Sequence, residues 1–523
     1  MQKRTNNKRK KINKKKNSQG RVILEFNLSK AIFICIIIGV LIAVSTIREI
    51  TTNTERKTAL AGEETENSET VIWVESTSVN EAGETVVDVD EEGNPIRVPI
   101  PKGYTASKVP GETSANTGLV IYEGDVDWST ILVDNEATGT STNAIETLNE
   151  DEESQNVENQ NETEVENLVI ANNETETNVT NEMLLNNIED SKENQVETLA
   201  DETTGEITQT DINVFNLQKE KNQYVWVPVK DISRIYGIDN NGKLWGKLYN
   251  FSSSGKSANN WSETTDGVMN ISSKTGYREP DITHYNTSYD VDSSLQSYLD
   301  GKTQYELLSN ELEILFAKTI ESIQKYGGFY IGRYETGNLS STAVVKKMNT
   351  DIGSQNWYTM YEKCKKLKGN STNVITSMIW GSLWDETLDW LVESNATISD
   401  GSELTYSLVG RNSTSWGNHY GATFNYIPTS STTPEETSPK AGESSTRIPT
   451  GSSSYTKANN IYDLAGNVYE WTLEAYSTYY RVIRGGRYSS YGSNYPADDR
   501  YYGIYGPNVS FDSYGCRSIL LIK

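Results

Sequence analysis

The chain has 523 residues, a formal net charge of −25 and only 35% hydrophobic residues. This composition excludes a series of fully packed domains, because so polar a chain cannot bury enough surface everywhere to offset the entropy of ordering. We expect one large folded domain. The whole chain has 31 tyrosines and 8 phenylalanines, and this excess predicts a partly hydrated surface rather than a deep core, since tyrosine joins apolar area to a polar tip.

A basic segment followed by an apolar run opens the chain. The first 21 residues hold ten Lys or Arg and no acid. The run Leu28–Ile47 is long enough to cross ~30 Å of hydrocarbon, and positive flanks stay cytoplasmic. We predict a cytoplasmic tail over 1–27, one transmembrane helix over 28–47 and an extracytoplasmic remainder, with no nucleic-acid binding by the tail. The alternative is a cleaved signal peptide, although Ala59–Ala61, which resembles a cleavage box, lies far beyond the apolar run.

Polar and acidic sequence follows the apolar run. Residues 48–93 are predicted to form a polar linker. Residues 94–124 alternate apolar residues with prolines and glycines, which predicts a short β-rich segment that could belong to the folded module. Residues 125–218 contain one lysine, no arginine and many acids and amides. Because like charges repel and no apolar period is present, we predict a disordered acidic spacer.

From residue 222 to residue 523, tryptophans and glycines punctuate the sequence, and we predict the folded module there. Strands are expected where apolar residues alternate, and helices where they recur every three or four residues until glycine intervenes. Short strands joined by long polar loops make up the remainder, which is an α+β pattern. The clearest predicted elements are strands over Tyr224–Val229 and Phe329–Gly337, and helices over 303–326, 354–369 and 381–394.

Cysteine usage limits the covalent chemistry of the module. Cys35 lies in the apolar run, which leaves Cys364 and Cys516 downstream. Two widely spaced cysteines without a CxxC pattern predict neither a metal site nor a disulfide framework. A single bridge between Cys364 and Cys516 stays open as an alternative in an oxidising compartment.

Five motifs stand out in the folded module, and they are GGFYIGRYETGN (Gly327–Asn338), GSLWDETLDWL (Gly381–Leu391), NNIYDLAGNVYEWTLE (Asn459–Glu474), RVIRGGRY (Arg481–Tyr488) and YGCRSILLI (Tyr514–Ile522). In order and spacing they resemble the formylglycine-generating enzyme (sulfatase-modifying factor) family over about 300 residues. This resemblance implies a C-type-lectin-like fold with a twisted antiparallel sheet, two helices and long ordered loops. The same fold class includes the variable proteins of diversity-generating retroelements, whose variable residues follow the same Arg-Gly-Gly strand.

The enzymes of this family hold copper with two cysteines, because Cu(I) requires soft thiolate ligands. Aligned on the Arg-Gly-Gly strand, those positions are Ser490 and Tyr495 here. The related sulfoxide synthases bind iron with three histidines, whereas this chain has only His284 and His419. We therefore expect no copper, no iron and no catalytic residue. The alternative hypothesis is a metal-dependent oxidoreductase of the formylglycine-generating or sulfoxide synthase type with an unrecognised site.

One metal site of the family has competent residues in this chain. The resemblance implies that Asp463, the carbonyl groups of Gly466 and Val468, and Glu470 could hold a structural Ca²⁺, which prefers several oxygen ligands. The alternative is a tight turn capped by Asn467. Both interpretations stay open at the level of the sequence.

The region Tyr476–Tyr514 combines many tyrosines with Ser, Asn, Asp and Gly. Tyrosine gives large contact area with few rotatable bonds, and the small polar residues give adaptable hydrogen bonds, as in antibody paratopes. We predict a diversified face that binds an unknown protein or glycan; the alternatives are a loop that only covers the vacated cleft, or a purely structural wall protein. The predicted contact residues are Tyr488, Ser490, Tyr491, Asn494, Tyr495, Asp498, Asp499, Tyr501, Tyr502, Tyr505, Asn508 and Asp512.

Overall fold

The computed structural model describes part of the chain, mainly residues 96–133 and the region from 206 to the C-terminus with short gaps. The predicted cytoplasmic tail and transmembrane helix, most of the linker and residues 134–205 of the spacer lie outside it. None of the helices it does describe is both long enough and apolar enough to cross a bilayer. The described residues are 71–75, 77–79, 85–87, 96–133, 206–259, 261–264, 267–271, 276–280, 304–339, 342–350, 353–477, 480–502 and 506–523.

The described residues form helices and many short strands, which confirms the α+β class. The helices are α1 (Trp128–Ile131), α2 (Gln209–Glu220), α3 (Gln304–Tyr326), α4 (Trp357–Lys366), α5 (Gly381–Glu393) and α6 (Tyr406–Gly410), with 3₁₀ turns at Ile232–Arg234 and Ser454–Thr456. The strands are β1 (Val71–Glu75), β2 (Thr77–Val79), β3 (Thr85–Val87), β4 (Arg97–Pro101), β5 (Tyr104–Ala106), β6 (Val120–Glu123), β7 (Gln223–Pro228), β8 (Tyr236–Ile238), β9 (Leu244–Gly246), β10 (Leu248–Ser252), β11 (Gly255–Asn259), β12 (Trp261–Glu263), β13 (Met269–Ile271), β14 (Gly328–Gly332), β15 (Gly337–Leu339), β16 (Thr342–Val344), β17 (Val374–Met378), β18 (Phe424–Tyr426), β19 (Ser438–Lys440), β20 (Lys457–Ala458), β21 (Ile461–Tyr462), β22 (Tyr469–Ser477), β23 (Tyr480–Arg484), β24 (Arg500–Tyr501), β25 (Tyr514–Cys516) and β26 (Ser518–Ile522).

The main sheet has six antiparallel strands in the order β17–β26–β14–β7–β6–β5. Consecutive residues of a strand point to opposite faces. In β7, Tyr224, Val225 and Trp226 are nevertheless all buried. Both faces of the sheet are therefore covered, and the largest hydrophobic cluster of the described residues is built around it.

The segment before the spacer is an integral part of this sheet. Strands β5 and β6 extend it, and the Tyr330 hydroxyl donates to the carbonyl oxygen of Pro99 at 2.9 Å. The buried Arg333 pairs with the buried Glu112 at 2.7 Å. Because removing one partner of a buried pair costs ~3–5 kcal/mol, a module that began at residue 222 would lack both sheet strands and a core ion pair.

The prediction of a disordered spacer is wrong at both of its ends. The backbone N–H of Val133 and its carbonyl oxygen both bond to the Thr210 hydroxyl, at 3.2 and 2.9 Å, which joins α1 to α2. Trp128, Phe215 and Leu217 are buried. Apolar burial by these three side chains gives short segments of an otherwise polar stretch a reason to order.

Helix α3 follows its predicted boundaries closely. Leu312, Phe316 and Ile320 are buried at helical spacing, and Gly327 ends the helix with a positive φ of 76°. The strand after it is shorter than predicted, because β14 stops at Gly332. Just beyond this point the backbone N–H of Arg333 still donates to the carbonyl oxygen of Gln223 at 3.2 Å, and the buried Arg333 side chain bonds to the Gln223 side chain at 3.1 Å.

A second sheet of four strands has the order β24–β23–β22–β25. Its β22–β25 pair is parallel, whereas the six-stranded sheet is antiparallel, as the resemblance implies. Strands β25 and β26 are separated by Arg517 alone, so the chain passes directly from this sheet into the main one. The closing segment therefore ties the two sheets together.

Cys364 and Cys516 lie side by side in the core. Both thiols are buried and are not joined by a disulfide, and their Sγ atoms lie 3.5 Å apart, within hydrogen-bond distance of each other. Cys364 comes from α4 and Cys516 ends β25, so a bond between them would join the helix to the strand that links the two sheets.

Candidate ligand-binding surface

The candidate site is built on the loop that follows β23. Gly485 and Gly486 have positive φ angles of 86° and 77°, which glycine adopts without steric cost. A Cβ atom on Gly486 would lie 2.3 Å from the carbonyl oxygen of Tyr495 and 2.8 Å from the His419 ring. Glycine at this position therefore allows the loop to fold back on itself directly after the strand.

Four buried charged residues hold the two ends of this loop together. Arg484 donates to one oxygen of Asp385 at 2.7 Å, and Arg500 donates to the other at 2.5 Å. Arg500 also pairs with Glu474 at 2.8 Å, and Arg484 and Arg500 face each other across β23 and β24. Two guanidinium groups thus meet two carboxylates with directional hydrogen bonds. We call these residues the charge clamp: Asp385, Glu474, Arg484 and Arg500.

Neighbouring loops support the same segment from below. The backbone N–H of Tyr488 donates to Asn467 at 3.0 Å, and that of Ala497 donates to the Ser413 hydroxyl at 2.8 Å. His419 is fully buried beneath the loop, and burial lowers its pKa to about 4. It is therefore neutral near pH 7 and acts as a packing group.

Five tyrosines form one connected surface beside the charge clamp. Tyr476 and Tyr502 stack with ring centroids 4.0 Å apart and planes inclined by 14°. Tyr277 lies 4.9 Å from Tyr476, while Tyr480 and Tyr501 each lie 6.0 Å from Tyr502. Tyr502 is 37% exposed, and the other four are partly exposed. We call this set the tyrosine surface: Tyr277, Tyr476, Tyr480, Tyr501 and Tyr502.

A buried ring connects the tyrosine surface to the core. Tyr469 is 4% exposed, and its ring stacks on Tyr501 at 6.1 Å and meets Tyr495 edge-on at 6.1 Å. The Tyr277 hydroxyl donates to the carbonyl oxygen of Arg500 at 2.6 Å. Aromatic pairs of this kind contribute ~0.5–1.5 kcal/mol each beyond their buried area. The exposed rings are therefore pre-positioned by a floor of other rings and by the charge clamp.

A second exposed tyrosine lies nearer the start of the loop. Tyr491 is 53% exposed, and its ring meets Tyr420 edge-on at 4.9 Å. Asn494, Asn508 and Asp512 are also exposed. These polar side chains fit the adaptable hydrogen bonding that the sequence predicts for the face.

Other predicted contact residues are turned inward, which corrects the prediction. Ser490 is only 9% exposed, and its carbonyl oxygen accepts from the Tyr420 N–H at 3.0 Å. The carboxylate of Asp498 accepts from the backbone N–H of Phe251 at 2.9 Å. Because both residues serve the loop's own fold, neither is available to a ligand in this arrangement.

Asp499 differs from its neighbour. One of its carboxylate oxygens is buried without a hydrogen-bond partner. Burial raises the pKa of Asp499 to about 7, against the lowering effect of Arg484. Its carboxylate also lies close enough to Tyr277 and Tyr469 to affect their hydroxyl groups electrostatically. Asp499 is therefore a titratable group beneath the tyrosine surface.

The remaining predicted contacts divide by exposure. Tyr488, Tyr495 and Tyr501 are partly exposed, and Tyr505 lies outside the described residues. Sequence reasoning missed Tyr277 and Tyr420, which come from other loops. No local pattern marks them, and the excess of tyrosine over phenylalanine in the whole chain was the only signal.

The two positions that correspond to copper ligands in the family serve other purposes here. Ser490 is buried, and the Tyr495 ring packs on Tyr469 and on Tyr501. Across the described ranges, no group of three or more His, Cys, Asp or Glu side chains is arranged to hold a metal ion. His284 lies outside those ranges.

The side chains predicted to hold calcium are engaged by other groups to different degrees in this arrangement. The Arg517 guanidinium contacts both oxygens of Glu470, at 2.9 Å and 2.6 Å. One oxygen of Asp463 accepts from the Gly451 N–H at 2.7 Å and the Thr450 hydroxyl at 3.1 Å, and the other is buried without a hydrogen-bond partner. Asn467 has a positive φ of 54° and bonds to Glu335 at 2.6 Å, which are features of a tight turn.

Comparison with known proteins places this surface in a family context. Residues 387–519 match the family model of the sulfatase-modifying factor enzyme 1-like domain. The sulfatase-modifying-factor-like region therefore contains the loop and all of the tyrosine surface except Tyr277. No curated protein matches the chain. Among solved structures the chain is similar to Treponema denticola variable protein 1, at 15% identity and a TM-score of 0.23, over 38% of this chain and 85% of that one.

Proposed function

We propose that this chain is a non-catalytic binding protein whose tyrosine surface holds a protein or glycan ligand. The observation that carries the proposal is the connected set of partly exposed rings between Tyr277 and Tyr502, stacked on one another and supported by the charge clamp. Binding interfaces concentrate their energy in rigid aromatic side chains at well-packed positions. Tyrosines with little conformational freedom to lose on binding meet that requirement.

Membrane anchoring completes the proposal. The basic residues 1–27 and the apolar run 28–47 support a single-pass anchor with a cytoplasmic N-terminus. The acidic residues that follow support a spacer that carries the binding module away from the membrane. In sealed right-side-out vesicles, added protease should leave the N-terminus intact and digest the remainder of the chain outside the membrane. Protection of the C-terminal module would contradict this orientation.

The binding test uses the full chain on arrays of glycans and purified surface proteins. Tyr502→Ala removes an exposed ring without opening the core, and we expect it to weaken binding at least tenfold, since hot-spot aromatics contribute ~2 kcal/mol or more. Tyr426→Ala removes a partly exposed tyrosine from β18 and serves as the matched control. Equal loss with both variants, or a ligand insensitive to Tyr502, would refute the assignment.

The proposal also excludes a specific chemistry. Purified chain reconstituted with copper or iron should not oxidise a cysteine-containing peptide, because Ser490 and Tyr495 stand at the ligand positions. Turnover dependent on either metal would overturn the non-catalytic assignment and favour the oxidoreductase alternative.

We further propose that the loop is diversified by a retroelement. Tyr, Asn, Ser, Asp, Gly, Ile and Arg, which adenine-directed mutagenesis of Asn-type codons generates, dominate residues 488–514. The flanking residues Arg484, Gly485 and Gly486 instead fix the end of β23 and the start of the loop. Sequencing of the locus should find a reverse transcriptase and a near-identical template repeat, and the absence of both would refute this part of the proposal.

A further inference from the structure

A cavity of about 240 Å³ lies between α3, α4 and β17, beside the last residue of the chain. Apolar side chains form much of its lining, including Leu315, Tyr361 and Ile375. Ile314, at its edge, is 56% exposed, which is unusual for a large aliphatic residue among those that the structure describes. None of the residues that line it belongs to the tyrosine surface, so a ligand bound in this cavity would be independent of the proposed function.

Four lysines stand around this apolar lining: Lys318, Lys365, Lys368 and Lys523. Among the side chains that line the cavity, Glu311 is the only acidic one. It forms an ion pair with Lys365 and accepts a hydrogen bond from the Tyr361 hydroxyl at 3.0 Å. The charge of Glu311 is therefore already matched within the cavity, and the lining offers no other acidic side chain to Lys318, Lys368 and Lys523.

The rim is also fixed in place. Thr376 accepts from the backbone N–H of Lys368 at 2.9 Å and donates to the carbonyl oxygen of Lys365 at 3.2 Å. Burial lowers the pKa of Lys523, and Lys368 and Lys318 lower it further. Like charges are thus held close enough to repel one another, and an anion among them would relieve that repulsion.

We propose that this cavity binds a small organic anion with an apolar body and a single carboxylate, sulfonate or phosphate group. The apolar body would lie on Leu315 and Ile375, and the anionic group would face Lys318, Lys368 and Lys523. Ligand sites commonly combine an apolar lining with a few polar groups that fix orientation. At roughly 30 Å³ per water the cavity holds about eight waters, which suits a ligand of the size of phenyl phosphate.

The first test separates charge from apolar contact. The full chain is titrated calorimetrically with phenyl phosphate, inorganic phosphate, benzyl alcohol and benzylamine. We expect one equivalent of phenyl phosphate to bind, inorganic phosphate and benzyl alcohol to bind at least tenfold more weakly, and benzylamine not to bind. Higher ionic strength should weaken binding, because partly exposed charges are screened. Equal affinity for the anion and for benzylamine would overturn the proposal.

Substitutions then locate the site. Lys318→Gln with Lys368→Gln should weaken the binding of phenyl phosphate about tenfold, because two of the three charges that face the anionic group are removed. Lys102→Gln with Lys108→Gln removes two exposed lysines elsewhere and should change nothing. Ile314→Glu places a negative charge at the edge on an exposed position, so folding is preserved and binding should be lost. Unchanged affinity in Ile314→Glu, or equal losses in the two double variants, would overturn the proposal.

Discussion

Replacing Asp385 with asparagine should reveal how strongly the charge clamp holds the candidate site. Asp385 is fully buried and accepts from Arg484 at 2.7 Å, from Arg500 at 2.5 Å and from the backbone N–H of Tyr249 at 2.8 Å. Asparagine keeps the shape but loses the charge and turns an NH₂ group toward donors. Two buried guanidiniums would then share the single carboxylate of Glu474.

Breaking a buried ion pair by changing one partner costs ~3–5 kcal/mol, out of a total of ~5–15 kcal/mol for a folded domain. We expect a loss of that size in the free energy of unfolding, measured by urea denaturation at pH 7. The matched control is Asp400→Asn, since Asp400 is exposed and bonds only locally, to Ser402. It should change stability by less than about 0.5 kcal/mol.

A double-mutant cycle sharpens this test. With Arg500→Gln added to Asp385→Asn, one guanidinium and one carboxylate remain, and the nearest nitrogen of Arg484 already lies 3.8 Å from Glu474. The double variant should therefore be more stable than the sum of the two single losses implies, by at least about 0.5 kcal/mol. Additive losses, or a loss below about 1 kcal/mol for Asp385→Asn alone, would refute the reasoning.

Three further predictions concern buried groups elsewhere. Burial raises the pKa of Glu279 from 4.5 to about 8, so the free energy of unfolding should fall as pH rises across that window, and Glu279→Gln should reduce this fall in urea denaturation; a slope equal to that of the unmodified chain would contradict this. A disulfide reagent should link Cys364 to Cys516 and protect both from alkylation in denaturant, whereas Cys364→Ser should leave Cys516 reactive; alkylation of both after oxidation would disprove the link. Calcium should leave the melting temperature unchanged, because Arg517 occupies Glu470; a calcium-dependent rise would show otherwise.

Local sequence patterns were sufficient for the long helix and for the motifs around it. Helix α3 was predictable because its apolar residues recur at helical spacing and Gly327 ends it. Helix α2 was not, because its acidic and amide residues resemble a spacer, and its burial depends on contacts made far along the chain. Leu217 belongs to the hydrophobic cluster built around the main sheet, and α2 packs against α1, so the burial of its apolar side chains depends on segments distant in sequence.

The sequence predicts where the candidate site lies, but not which residues contribute exposed side chains to it. Its loop follows the Arg-Gly-Gly strand, which is recognisable from the sequence alone. Whether a given side chain faces outward depends on bonds to distant loops, such as the bond from Phe251 to Asp498 and that from Tyr420 to Ser490. Tyr277 joins the tyrosine surface from a segment more than 200 residues away in sequence. No periodicity encodes such contacts.

The distribution of side chains around the loop explains how one scaffold can carry different faces. Arg484 and Arg500 fix its ends, while Ser490 and Asp498 bond inward to hold its path. The outward residue Tyr491 supports the loop through its backbone carbonyl oxygen, which accepts from the N–H groups of Asn494 and Tyr495, and a change of its side chain leaves those bonds in place. Substitution at an outward position therefore changes what a partner contacts, while the energy that maintains the loop lies in buried groups. A binding face can then vary without loss of the fold beneath it, which is the physical condition that a diversified surface must satisfy.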